Sequence, residues 1–388
     1  MFTFASSSLT SLHLLTRPRA DVRAYLLELH HHFSGLESLY LHLTEDQDDF
    51  WPIMGDSLIS LSPTLQSLEL GGRCCIPVEM LDYIAQMPHL RVLKLKPQGL
   101  KFRDRRFALS GDPRRPINAL EVLDLEDGVA AYGVGWEAIF KAYCFPSLRS
   151  LHITASPSRL GTAVPGLMIA SVLPAAVSPL TLRELDISES LARTDGQALH
   201  ADRIFPLRAF TNLTRLVITS LNGIAWDDEI LSNFIAAFPY LRAFHVLLES
   251  AVLSSNVSRI STTRPTLKGL ASVIKLCPDL RELSLAVDTK VVPLIDEEPC
   301  HPFNDQLRTI NVVSGSPGED LDALAHFLHT LLPNLKCIRC LGHSAQARSV
   351  WREVEERLEK LAGVGDSEEL SKRLEKCIVY NKYGSPLF

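Results

Sequence analysis

The sequence predicts an α/β fold in which about twelve helix–strand repeats stack around a parallel inner sheet. Three observations support this prediction. A six-residue phrase, Leu-x-x-Leu-x-Leu, recurs along the chain, a stripe of apolar residues at helical spacing precedes many copies, and proline often separates the two. The spacing is about 30 residues, and the copies open at Leu9, Leu36, Leu65, Leu90, Leu120, Leu148, Leu182, Leu213, Leu241, Leu280, Leu307 and Leu335.

The repeat that ends at Leu285 illustrates the construction. Leu270 and Ile274 fall at helical spacing on one apolar stripe. Pro278 then ends the helix, because proline cannot continue one and disfavours α geometry in the residue before it. Leu283 and Leu285 alternate with polar residues, as in a strand with one buried face. Since one such unit cannot bury its apolar face alone, the units must stack into a leucine-rich-repeat solenoid, or horseshoe.

Four further stretches have the same apolar stripe followed by proline, so each is predicted to be the helix of a repeat. They are residues 80–87, 136–145, 230–238 and 321–332. The turns should be irregular, because the asparagine that regular repeats place three residues beyond the last leucine is absent. Arg17, Thr44 and Gln98 are among the residues at that position.

The C-terminal part predicts a cap. Trp351, Val354 and Leu358 share one face of a helix predicted at residues 345–361, and charged residues occupy the other face. A solenoid needs such a polar outer face at its end. The N-terminus offers nothing comparable, and an uncapped first repeat would expose an apolar edge. We therefore expect either that the chain is shortened relative to its relatives or that something else covers that end. The expected domains are a solenoid at residues 1–343 and a C-terminal helical cap and tail at residues 344–388.

Composition excludes several classes of protein. The net charge is −6, from 39 basic and 45 acidic residues, which argues against nucleic-acid binding. Residues 160–182 carry no charge, but three prolines would break a membrane-spanning helix, so we expect an apolar insertion packed on the stack and no membrane partner. With eight cysteines spread over 388 residues and no secretory leader, the chain is expected to be cytoplasmic and/or nuclear.

The residues between the leucines of each phrase form the candidate partner-binding surface, because they should face solvent on the concave side of the sheet. Asp124, Glu184 and Asp186 make its middle acidic, which favours a basic or mixed peptide. The predicted positions are Tyr40, Glu69, Lys94, Asp124, His152, Glu184, Asp186, Arg215 and His245.

A basic loop is predicted at residues 94–116, where eight Lys or Arg residues stand against two Asp. In this loop a phosphate or an acidic peptide could be held through charge-assisted hydrogen bonds. A solvated loop without a ligand is the alternative. The residues concerned are Lys101, Arg103, Arg105 and Arg106.

No motif indicates an enzyme, a cofactor or a metal. Gly133 and Gly135 lie too far beyond their strand for a nucleotide-binding turn. Cys337 and Cys340 have metal-ligand spacing, but Cys340 takes a core leucine position and no second pair lies at zinc-finger spacing. We therefore expect no catalytic, cofactor-binding or metal-binding residues.

The phrases of residues 277–285 (CPDLRELSL), 145–153 (FPSLRSLHI) and 332–340 (LPNLKCIRC) resemble the repeats of F-box/leucine-rich-repeat proteins, especially the irregular sets of fungi. The resemblance covers residues 9 to about 360. It implies that the repeats capture a protein substrate, while a preceding F-box docks on a Skp-type adaptor of a cullin ubiquitin ligase. There is no room for an F-box before Leu9, so a Skp-type adaptor is expected only if an upstream F-box exists.

These observations together predict a non-catalytic protein–protein interaction module. Its predicted role is the substrate-recognition part of an F-box-type ubiquitin-ligase receptor, and its predicted partner is a protein. The alternative is a leucine-rich-repeat scaffold or regulator unrelated to ubiquitin ligases, such as a regulator of small GTPases.

Overall fold

The computed structural model divides the chain into two compact units, Met1–Thr194 with Arg203–Asn212, and Asp195–Asp202 with Leu213–Phe388. Each unit is described by itself. The residues that the structure describes are 8–16, 28–29, 31, 33–45, 50–77, 79–101, 114–127, 136–155, 168–189, 198–220, 223–248, 264–293, 304–312, 318–340 and 345–363.

Among the described residues of the first unit, seven parallel strands follow the repeat phrases, and each of them pairs with the next. Every strand begins two residues after the first leucine of its phrase. The strands are β1 (Ser11–Thr16), β2 (Ser38–Leu43), β3 (Ser67–Pro77), β4 (Val92–Lys101), β5 (Val122–Asp127), β6 (Ser150–Ala155) and β7 (Glu184–Glu189).

Among the described residues of the second unit, five parallel strands follow the repeat phrases with the same offset. All twelve phrases therefore form strands, and the predicted leucine-rich-repeat solenoid with a parallel sheet is confirmed. These strands are β8 (Arg215–Ser220), β9 (Ala243–Leu248), β10 (Glu282–Leu285), β11 (Thr309–Val312) and β12 (Cys337–Cys340).

Helices on the opposite side of the repeats cover the buried leucines. The predicted helices are present, with ends that differ from the predictions by a few residues. The described helices are α1 (Phe50–Leu61), α2 (Met80–Ile84), α3 (Glu137–Ala142), α4 (Met168–Ala176), α5 (Asp228–Ile235), α6 (Leu267–Leu276), α7 (Leu321–Leu331) and α8 (Ala345–Leu361).

Three local predictions need correction. Helix α3 stops at Ala142 instead of residue 145, because Tyr143–Cys144 forms a short parallel strand with Arg115–Pro116. Helix α4 lies within the stretch interpreted as an apolar insertion and contains Pro174. It is a regular repeat helix, since Ile169 and Leu173 are buried among the core residues.

The basic stretch at residues 94–116 is not a loop throughout. Strand β4 continues to Lys101 and stays paired with β3 as far as Pro77, across a register shift between Gly72 and Cys75. Gly72 has a φ of 107°, and a side chain there would overlap the backbone oxygen of Leu43. Glycine is therefore needed at this irregularity, which the sequence pattern did not reveal.

Successive repeats are joined by side-chain hydrogen bonds, although the sequence lacks the asparagine ladder of regular repeats. Thr181, Asn212 and Asn334 each stand directly before the first leucine of a phrase. Each donates to the carbonyl two residues before the first leucine of the preceding phrase, at 3.1, 3.1 and 3.0 Å respectively. The missing ladder is thus partly replaced by a different set of bonds at the start of the strands.

The predicted cap is formed by α8 in the second unit, where it packs on α7 and β12. Trp351, Val354 and Leu358 are buried, as their shared face predicted. Glu355 Oε1 accepts a hydrogen bond of 2.6 Å from the backbone N–H of Ile338 in β12. The cap therefore supplies an acceptor to this strand as well as an apolar cover. The domain boundary at residue 343 stays a prediction.

Candidate binding surface on the strands

One row of side chains crosses the strand face of the first unit. Its members take the same register position, between the second and third leucines of consecutive phrases, so each lies beside the next in the sheet. Most are half-buried or exposed, as expected for residues that alternate with core leucines. In strand order the row is His13, Tyr40, Glu69, Lys94, Asp124, His152 and Asp186.

The row begins with an aromatic pair. The rings of His13 and Tyr40 stack with centroids 3.9 Å apart and an angle of 13° between their planes. Leu15, two residues beyond His13 on the same face, is 73% exposed. This end of the strand face is consequently aromatic and apolar, in contrast to the charged strands that follow.

Charged side chains occupy β4 and β5. Lys96 Nζ lies 3.2 Å from Glu126 Oε2 and 3.8 Å from Asp124 Oδ2. Burial alone would lower the pKa of Lys96, but the hydrogen bond to Glu126 and the nearby carboxylates, including Glu69, outweigh that effect and raise it. Lys96 is therefore charged at neutral pH and partly neutralises Asp124.

Lys96 and Glu126 lie on the candidate binding surface, and the sequence pattern was not followed far enough to include them. The prediction stopped at the last leucine of each phrase, whereas β4 and β5 continue beyond it. Extending the alternation by two residues would have placed both side chains on the strand face.

The acidic end of the row lies on β7, and neither β6 nor β7 contains lysine or arginine. Ser150 Oγ donates to Glu184 Oε2 at 3.1 Å, and His152 Nε2 lies 3.9 Å from Asp186 Oδ2. Glu184 is exposed and Asp186 is half-buried. From β3 to β7, the row and its neighbours carry five carboxylates, at 69, 124, 126, 184 and 186, against two lysines, at 94 and 96.

In the second unit, the strand face carries a connected polar cluster. Glu282 Oε2 lies 3.1 Å from His245 Nε2 and 3.8 Å from Arg215 Nη1. His245 Nδ1 is 2.6 Å from Ser284 Oγ, which also accepts a hydrogen bond of 2.6 Å from Asn311 Nδ2. These five residues come from four neighbouring strands, so the predicted residues Arg215 and His245 lie in one cluster.

His245 departs from the expectation that residues between the leucines face solvent, because its exposed fraction is only 5%. Ser284 and Glu282 on the next strand contact its two ring nitrogens. Burial lowers the pKa of His245, and the charge of Arg215 lowers it further, while Glu282 acts in the opposite direction. The imidazole is therefore neutral at neutral pH.

Ser284, His245 and Glu282 have the residue types of a catalytic triad, but their geometry does not suit nucleophilic catalysis. Ser284 is 0% exposed, so a substrate could not reach its hydroxyl. That hydroxyl also accepts from Asn311, which makes it a less available nucleophile. The cluster is better explained as a buried polar network that orients Arg215 and Glu282 at the surface.

Several predicted features fall outside the described residues. Lys101 ends β4, but Arg103, Arg105 and Arg106 of the basic loop are not described, and neither are Gly133 and Gly135. Within the described part of the chain, no group of three His, Cys, Asp or Glu residues could hold a metal ion. No helix in that part is long and apolar enough to span a membrane.

Neither a protein-family model nor a curated protein sequence matches the chain. Among solved structures, the chain is similar to the leucine-rich repeat-containing protein LegL7 from Legionella pneumophila, with 13% identity and a TM-score of 0.34 over 89% of this chain and 97% of that one.

The chain is also similar to the plant peptide hormone receptor RGFR1, solved in complex with RGF2, with 11% identity and a TM-score of 0.30. That likeness covers 86% of this chain and 60% of the receptor chain. Such distant likenesses carry no argument about function. The repeats and parallel strands described above define the class of fold, which is a leucine-rich-repeat solenoid.

Proposed function

We propose that this chain is a non-catalytic interaction module that recognises a basic or mixed segment of a protein partner. The observation that carries the proposal is the polar row across the first unit, which ends at Asp186 on β7, with Glu184 on the same strand. Long strand faces of this kind suit extended macromolecular partners. Charge complementarity then favours a basic segment, because Glu184 and Asp186 place two carboxylates on one strand.

The proposal is tested by reversing charge at the acidic end of the row. The probe is a fluorescein-labelled peptide of six Lys-Ser repeats, with binding measured by fluorescence anisotropy at low salt. The double variant E184K/D186K should weaken binding roughly tenfold, because two favourable charge contacts become repulsive. Asp124 is left unchanged, since it lies beside Lys96 and a lysine there would disturb an existing ion pair.

The matched control is D56K/E229K, which changes the net charge by the same amount. Asp56 is exposed on α1 and Glu229 is exposed on α5, so both lie on helices and away from the strands. The control should retain affinity within about twofold. Equal losses in the two variants would mean that net charge, and not the strand face, attracts the peptide, and the proposal would then be wrong.

We further propose that the module is the substrate-recognition part of an F-box-type ubiquitin-ligase receptor in the cytoplasm or nucleus. The support is the resemblance of the proline-stopped phrases to that family, together with a cysteine content that fits a reducing compartment. The test is the genomic sequence upstream of the codon for Met1. An in-frame F-box there should allow co-purification with a co-expressed Skp-type adaptor, whereas failure of that co-purification would favour a scaffold outside ubiquitin ligation.

A further inference from the structure

The residue after the first leucine of each phrase forms a second surface, at the start of the strands. In the second unit this position is basic in four consecutive repeats, and all four side chains are exposed. The strands stack regularly here, since the backbone N–H of Arg281 donates to the carbonyl of Arg242 at 2.7 Å, and that of Lys336 to Arg308 at 2.8 Å. We call these residues the basic row: Arg242, Arg281, Arg308 and Lys336.

At the same position in the first unit, two arginines lie beside a glutamate. Arg91 and Arg149 flank Glu121, with nitrogen–oxygen distances of 3.8 and 3.9 Å. Arg183 donates to the backbone carbonyl of Asn212 at 3.1 Å. By contrast, no member of the basic row has an ion-pair partner among the described residues. A position that served only to keep the strand edge soluble could alternate basic and acidic residues, as it does in the first unit. An uninterrupted row of basic residues therefore favours a binding role.

The length of the basic row matches an extended peptide. Neighbouring strands lie about 4.8 Å apart, so the three steps of the row span about 14 Å. An extended chain advances about 3.3 Å per residue and turns alternate side chains to one side. Three acidic side chains at alternate positions therefore span about 13 Å. A five-residue segment with this alternation can place a carboxylate near each gap of the row.

Neighbouring residues favour a peptide over nucleic acid. Asp279 and Asp305 are exposed, two residues before Arg281 and three before Arg308. They would repel a continuous line of phosphates, whereas a peptide can present neutral residues opposite them. Tyr240 is 57% exposed, two residues before Arg242, and offers an aromatic contact at one end.

We propose that the basic row binds an extended acidic segment of a partner protein, whose alternate carboxylates lie against Arg242, Arg281, Arg308 and Lys336. The guanidinium groups can hold carboxylates in two parallel hydrogen bonds, and the segment runs across the starts of β9 to β12. This inference relies on the proposed function in one respect, namely that the partner is a protein. It concerns a separate surface from the acidic strand face.

The test uses the full chain and a fluorescein-labelled peptide of six Glu-Ser repeats, with binding followed by anisotropy at 50 mM salt. The variant R281Q/R308Q should raise the dissociation constant roughly tenfold, because two charge-assisted contacts are lost. R281K/R308K should recover most of the affinity, which separates loss of charge from loss of folding. The matched control R91Q/R149Q should stay within about twofold of the original protein, because those arginines already face Glu121.

Three results would overturn the inference. They are an unchanged dissociation constant in R281Q/R308Q, an equal loss in R91Q/R149Q, or tighter binding of a twelve-nucleotide oligouridylate than of the acidic peptide. Binding of the basic Lys-Ser peptide should be unaffected in R281Q/R308Q. A failure of this inference is therefore distinguishable from a failure of the proposed strand-face function.

Discussion

The carboxylate of Asp228, at the start of one repeat helix, caps the helix of the following repeat at Gly269. Asp228 Oδ1 accepts hydrogen bonds from the backbone N–H groups of Gly269, at 3.0 Å, and Thr266, at 2.6 Å. Its Oδ2 accepts from Thr266 Oγ1 at 2.7 Å. The preceding residue, Asp227, caps its own helix through Ile230. Two adjacent carboxylates thus serve two successive helices, and one of them connects the repeats.

Replacing Asp228 with alanine should lower the free energy of unfolding by about 2–3 kcal/mol, because three hydrogen bonds are lost and two helix-terminal N–H groups lose their acceptor. Asp227→Ala is the matched control and should cost about 1 kcal/mol, since it removes one capping bond within a single helix. Urea unfolding followed by circular dichroism measures both. Equal losses of unfolding free energy in the two variants would contradict a special role for the hydrogen bonds between repeats.

Replacing Gly269 with alanine tests the same contact from the other side. Alanine favours helix formation by up to about 1 kcal/mol over glycine, so propensity alone predicts a stabilised α6. A Cβ at position 269 would, however, lie 2.5 Å from Asp228 Oδ1 and 2.9 Å from Pro265 Cβ. We expect a net loss of about 1–2 kcal/mol, because the capping carboxylate must move. A gain in urea resistance would show that the carboxylate adapts without cost.

The repeat pattern predicted the fold well because a single physical requirement acts in every repeat. The leucines at fixed spacing must all reach the same core, so all twelve strands begin at the same offset from their phrases. Contacts that use polar side chains between repeats were not predictable in this way. Asn304 is buried and bonds to the carbonyls of Cys277 and Leu280 and to two backbone N–H groups, although no pattern in the sequence marks it.

The candidate binding surface was predictable only in part. Alternation along a strand indicates which side chains leave the core, and it placed Glu69, Lys94 and Asp124 side by side. It could not indicate how deeply a side chain is covered by its neighbours. His245 is buried because Ser284 and Glu282 on the next strand contact its ring, while Arg215 on the preceding strand reaches Glu282 across it. Those contacts depend on three repeats together.

Replacing Glu355 with glutamine should stabilise the second unit at high pH. Burial raises the pKa of Glu355 to about 7, from an ordinary value of 4.5. The folded state therefore retains a proton that the unfolded state loses, and stability falls as pH rises from about 4.5 to about 7. At pH 8, E355Q should gain roughly 1–2 kcal/mol, less than the full shift implies because the carboxylate stays partly hydrated.

At pH 4 the gain from E355Q should disappear, because Glu355 is then protonated in both states. Glu356→Gln is the control, since Glu356 is exposed on the same helix. Thermal unfolding at pH 4, 6 and 8 provides the measurement. If the melting temperatures of E355Q and the original protein differ by the same amount at all three pH values, burial of this carboxylate does not govern its titration.

The His245 cluster should act on stability in the opposite direction over part of the same range. Its pKa is lowered in the folded state by burial and by Arg215, from an ordinary value of 6.5. As pH falls through about 6.5, the unfolded state takes up a proton that the folded state resists. The cluster therefore contributes stability above that pH and loses it as the solution becomes more acidic.

Replacing His245 with glutamine removes this titration, so the variant should lose less stability than the original protein between pH 7 and pH 5. At pH 7 it should be less stable, because Ser284 and Glu282 lose the ring that joins them. The exposed His326 on α7 provides the control, and H326Q should follow the original protein. Urea unfolding of H245Q, with E355Q as a common background, isolates the histidine. Parallel pH profiles with and without His245 would show that the imidazole titrates alike in both states.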